Sequence, residues 1–154
     1  MKFYNGEIMT ISEFLLNELE LAGKKNRMRM KFLNILAEKY KEFKQYHWQL
    51  LKEHCKLDEQ GNPKTKKENG QNVYDIIDED KFKKEYSELV YEEVVIEENE
   101  ENKKMLLTIR DAIINCPNAY KGEKALVFDR IYEIFENIYQ EDKETLETLK
   151  EKEE

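Results

Sequence analysis

Histidines, a run of glutamates and a knot of lysine and arginine are the side chains here whose types and spacing could do chemistry. His47 and His54 are the only histidines and stand seven residues apart. On one helix this places them about 10 Å apart along the axis, too far to ligate one metal ion together without a bend. Neither is preceded, three residues back, by the glutamate of helical di-metal sites. They read as packed, hydrogen-bonded residues of a helical seam, and no metal or cofactor is expected.

Glu92, Glu93, Glu97, Glu98, Glu100 and Glu101 fall within ten residues. Paired carboxylates do acid–base work when a shielded cleft drives their pKa values apart. Glutamates crowded into a connection between a strand and a helix are instead expected to face water, where they steer a basic partner. Tyr86 and Tyr91 are the candidate aromatic anchors of such a surface. Lys24, Lys25, Arg27, Arg29 and Lys31 are five cations in eight residues. Cations at a helix N-terminus oppose its macrodipole, so they call for a nearby anion, either a nucleic-acid phosphate or an acidic part of the same chain. Cys55 and Cys116 have no metal or redox spacing, and no phosphate loop, dinucleotide fingerprint or nucleophile elbow is present. These residues point to a binding protein and give no reason to propose an enzyme.

The elements that must position these groups follow from periodicity and punctuation. Phe3, Tyr4, Asn5-Gly6, Ile8 and Met9 read as an N-terminal hairpin over residues 1–10. Thr10 and Glu13 have capping-box spacing, and Ile11, Phe14, Leu15, Leu19 and Ala22 form one apolar face that stops at Gly23. From Lys25 to about Lys56, Leu36, Tyr40, Phe43, His47, Leu50, His54 and Leu57 recur in steps of four and three. The spacing predicts a spine helix about 48 Å long, packed along a second long helix. Residues 58–72 read as an exposed loop or loose ribbon, Val73–Ile77 as a strand pairing with Val94–Ile96. Asp78 caps a helix to about Glu92, Asn99 caps one to Asn115, and a last helix starts near Gly122. Residues 141–154 read as a charged, frayed helical end whose Glu141, Asp142, Glu144, Glu147, Glu151, Glu153 and Glu154 could neutralise the 24–31 cations.

Composition sets the frame. Residues 1–74 carry 14 Lys+Arg against 10 Asp+Glu, whereas residues 75–154 carry 12 against 24, which accounts for the net −8. With 154 residues and 40% hydrophobic content, one domain with a proper core is expected, predominantly α-helical and of α+β class. The opening lacks the continuous apolar stretch of a signal peptide and no run of apolar residues is long enough to span a bilayer, so the cytoplasm is the expected location.

Taken together, KFYNGEI, LAGKKNRMRMKFLNILAEKYKEF, LDEQGNPKT and EDKFKKEYSELVYEEVVIEE resemble a family of small proteins of unknown function encoded by bacteriophages of Gram-positive bacteria. The resemblance covers about residues 1–115. It implies a phage accessory or structural protein made in the cytoplasm of the infected host, and carries no activity or catalytic residues with it. The expected function is a non-enzymatic phage protein that binds a bacterial host protein, a defence or nucleic-acid-processing factor with a basic cleft, and inhibits or redirects it. The alternatives are a virion assembly protein acting through helix-mediated homo-oligomers, and direct nucleic-acid binding through residues 24–31.

Overall fold

In the computed structural model, which describes residues 1–140, the chain is predominantly helical α+β. The order is β1 (Lys2–Tyr4), a 3-10 turn (Asn5–Glu7), α1 (Ile8–Asn17), α2 (Gly23–His54), β2 (Thr65–Glu68), β3 (Gln71–Tyr74), α3 (Glu79–Val90), β4 (Glu93–Val95), α4 (Glu100–Ile114) and α5 (Glu123–Glu136). No helix among the described residues is long and apolar enough to cross a membrane.

The N-terminal segment departs from the expected hairpin. β1 pairs antiparallel with β4, far away in sequence, with Phe3 opposite Val94 and both buried. Asn5-Gly6 does not turn the chain back, and instead lays it against the end of α3. Asn5 Nδ2 donates to Leu89 O at 3.0 Å, and a Cβ on Gly6 would meet Val90 Cγ1 at 2.7 Å. The dipeptide thus answers a demand for close approach, which leaves the same sequence mark as a turn. Glu7, rather than Glu13, folds back on the chain, its carboxylate accepting from Tyr4 N at 2.8 Å. The expected pairing of Val73–Ile77 with Val94–Ile96 is also replaced: β3 pairs with β2 as a hairpin whose turn, Asn69-Gly70, has positive φ at both residues.

Gly23, read as a stop for the first helix, instead opens α2 with φ +54°, and α1 ends earlier at Asn17. The junction is closed by Arg29, which donates to Leu15 O at 3.3 Å and to Leu19 O. Asp78 and Asn99 do cap α3 and α4, accepting from the N–H groups of Lys81 and Asn102.

The spine helix packs on different partners along its two halves, in place of one long helix. Its first half carries Phe32 and Leu36 into the main core with Ile8 and Leu15 of α1, Met105, Leu106 and Ile109 of α4, and Ile131 and Phe135 of α5. Its second half carries Leu51 into a satellite cluster with Cys55 and Phe82, bordered by Leu50, Ile76 and Tyr86. Leu57 falls outside the helix and is 45% exposed. The distinction matters because the main core fixes the scaffold, whereas the satellite cluster is the apolar contact that sets α3 against the end of α2.

Candidate functional site

The α2–α3 junction forms a concavity lined by acidic side chains from both helices. Tyr46, Gln49, Leu50 and Glu53 line one wall from α2, and Glu85, Glu88, Leu89 and Glu92 line the other. Four carboxylates thus face one groove with no lysine or arginine in its lining. Among the described residues, Glu53, Glu88 and Glu92 make no ion pair. Glu85 is held by His54, whose Nε2 contacts its Oε2.

Aromatic stacking joins the two helices beside it. Tyr86 lies parallel to Phe82 with ring centroids 5.8 Å apart, and His47 sits over Tyr86 at 4.6 Å. His54 meets Phe82 edge-on at 6.0 Å. Both histidines are therefore packed against α3, as their place on the seam suggested. Burial lowers the pKa of His47 by disfavouring the charged imidazolium. Burial raises that of the Cys55 thiol, with the Asp75 carboxylate adding to the effect. Cys55 and Cys116 are both free thiols, and Cys55 is buried.

The six glutamates singled out in the sequence are not one surface with one role. Glu92 lines the groove, while Glu93 pairs with Lys2 at 3.3 Å on the β1–β4 ribbon. Glu98 is a structural clasp: it accepts from the Met1 nitrogen at 2.6 Å and from Tyr139 N at 2.7 Å. Its burial works toward a raised pKa, but these hydrogen bonds outweigh it and hold the carboxyl below its usual range. Glu97 is exposed before the Asn99 cap, and Glu100 and Glu101 occupy the first turn of α4, where the helix dipole favours them. Glu100 also pairs with Lys103 at 3.4 Å. Of the two aromatics, Tyr86 is packed between α2 and α3 on His47 and Phe82 and does not line the groove, and Tyr91 is 67% exposed beside Glu92, with Tyr4 edge-on at 5.7 Å.

The basic segment is divided as well. Lys24, Lys25, Arg27 and Lys31 are exposed, but Arg29 is half-buried and spent on the carbonyls that end α1. The negative end of α1 thus compensates one of these cations, Arg29. The other expected source, residues 141–154, lies outside the described residues. Lys25 in turn borders a hollow with Glu18 and Asp111.

Sequence reasoning missed Glu53, Glu85 and Glu88, because their significance comes from juxtaposition across two helices 31 residues apart at the His54–Glu85 contact. It also missed a stripe of α2 on which Trp48, 40% exposed, stands among Tyr40, Lys41, Lys44 and Lys52. Lys44 lies over the Tyr40 ring at 5.7 Å. The helical spacing of these residues was the available signal. Compared with known proteins, the chain matches no family model, no curated protein and no solved structure.

Proposed function

We propose that this chain is a non-enzymatic binding protein of phage origin that engages a basic surface of a bacterial host protein and inhibits or redirects it. The observation that carries the reading is the α2–α3 groove, where Glu53, Glu85, Glu88 and Glu92 converge without a lysine or arginine. A one-sign concavity focuses field lines and speeds encounter with an oppositely charged partner. Tyr46, 55% exposed, and Tyr91 beside Glu92 provide rigid aromatic contact area. A nucleic-acid-binding cleft is the natural target, because carboxylates on this surface compete with phosphate for the same cations.

Tagged wild-type chain and a Glu88→Gln/Glu92→Gln variant, incubated with lysate of a Gram-positive host, test this reading. Both residues are exposed and make no ion pair among the described residues, so the fold is expected to persist. The wild type should retain a basic partner that salt releases, and the variant should bind it roughly tenfold more weakly, about 1.4 kcal/mol. Equal retention by the two proteins would sink the assignment.

A second reading, contact with single-stranded nucleic acid, draws support from Trp48 among Lys41, Lys44 and Lys52 rather than from residues 24–31. Aromatic rings interleaved with lysines suit stacked bases and their phosphates. Trp48 is the only tryptophan, so its emission reports binding directly. Emission unchanged by an oligonucleotide at low salt rules this reading out.

A further inference from the structure

Glu53 and His54 lie at the end of α2 and Glu85 lies midway along α3. One donor atom from each, an imidazole nitrogen and two carboxylate oxygens, lies within 4.8 Å of the other two. We propose that these three side chains form a binding site for a divalent transition-metal ion of the zinc class.

Geometry makes the first argument. Ligands of a tetrahedral zinc ion stand about 3.4 Å from one another, given bonds of about 2.0–2.1 Å. Two donors already meet: His54 is 8% exposed, its ring held edge-on by Phe82, and its Nε2 touches Glu85 Oε2, so that the carboxylate would draw back by about 1 Å to admit an ion. A metal ion takes the position between nitrogen and carboxylate that the hydrogen bond now spans. The third donor, Glu53, is exposed and makes no hydrogen bond or ion pair among the described residues, so its side chain is free to close on the ion.

Charge and donor type make the second. Four carboxylates around one groove repel each other, and a single imidazole cannot offset them. Two carboxylates and a neutral imidazole balance the charge of a divalent ion, with Glu88 and Glu92 left to keep the potential around it negative. Calcium and magnesium prefer sets made wholly of oxygen, whereas an imidazole nitrogen favours zinc and its neighbours. Three protein ligands leave a coordination position for water.

A plain His54–Glu85 ion pair explains the contact but gives Glu53 no part, which makes Glu53 diagnostic. The site needs only these three side chains and does not rest on the partner-binding reading. The test titrates chelator-treated full-length chain with zinc chloride in a calorimeter. One ion per chain should bind with Kd near or below about 10 μM, and Glu53→Gln and Glu85→Gln should each weaken it by about tenfold or more. Cobalt(II) should give the visible bands of a low-coordinate nitrogen–oxygen site, lost in Glu53→Gln. Circular dichroism of Glu53→Gln, an exposed substitution, guards against misfolding. Absence of saturable binding, or binding that Glu53→Gln leaves unchanged, overturns the proposal.

Discussion

His54 on α2 and Glu85 on α3 meet through imidazole Nε2 and carboxylate Oε2, so the two helices that form the acidic groove are clasped to each other. The clasp stands beside a small apolar cluster of Leu51, Cys55 and Phe82, remote in composition from the main core. Groove geometry therefore depends on few contacts, and local changes there should alter binding before they unfold the chain.

His47 makes this region acid-sensitive. Burial against Phe82 and Tyr86 lowers its pKa in the folded state, so the unfolded chain binds its proton first as pH falls. Stability should decline as pH drops below the unfolded value near 6.5, and level off once the folded imidazole also protonates. Thermal melts at pH 7.5 and 5.5 check this: His47→Gln should show a smaller loss of Tm than the wild type.

Gly6 tests the corrected N-terminal topology. Its Cβ in Gly6→Ala would stand 2.7 Å from Val90 Cγ1, so the substitution should cost about 1–3 kcal/mol in a denaturant melt. Combining it with Val90→Ala should recover part of that loss, giving a non-additive cycle. A hairpin turn at Asn5-Gly6 would show no such coupling.

Arg130 and Glu7 tie α5 to the turn before α1, with Nε to Oε1 at 2.6 Å. Burial works against a charged Glu7, yet the hydrogen bonds from Arg130 and Tyr4 N, with the guanidinium charge, bring its pKa below the usual carboxylate range. This stability is present above pH about 4.5 and is lost as pH falls through the lower folded value. Because the pair is partly solvated, Glu7→Gln should cost only about 1 kcal/mol at pH 7. Its melting curve should converge on that of the wild type in acid.

Phe32 separates the two clusters. It is fully buried and meets Phe135 edge-on at 5.8 Å, so Phe32→Ala should cost about 3–5 kcal/mol. Leu51→Ala in the satellite cluster should cost less, about 2–3 kcal/mol, and should loosen α3 selectively. Hydrogen exchange resolves the difference: faster exchange in α3 with α4 unchanged is the expected pattern.

Local rules carried the helices. The caps Asp78 and Asn99, the uninterrupted run through His54 and the turn residues Asn69-Gly70 each act within a few residues, so their outcome is written in the order of the chain. They did not say which faces meet. Phe3 and Val94 have the same β-branched or aromatic character whether they pair with each other or with nearer segments, and only burial in a shared core selects the partner.

The same boundary runs through the candidate site. Sequence alone determined an acidic second half, a helical scaffold and histidines on a packed seam. Tertiary structure alone decided that Glu98 clasps Tyr139, that Arg29 ends α1, and that Glu53, His54 and Glu85 converge. The physical reason is range: helix formation and capping are satisfied by neighbours in the chain, whereas convergence of charged side chains requires that distant apolar faces first be buried together.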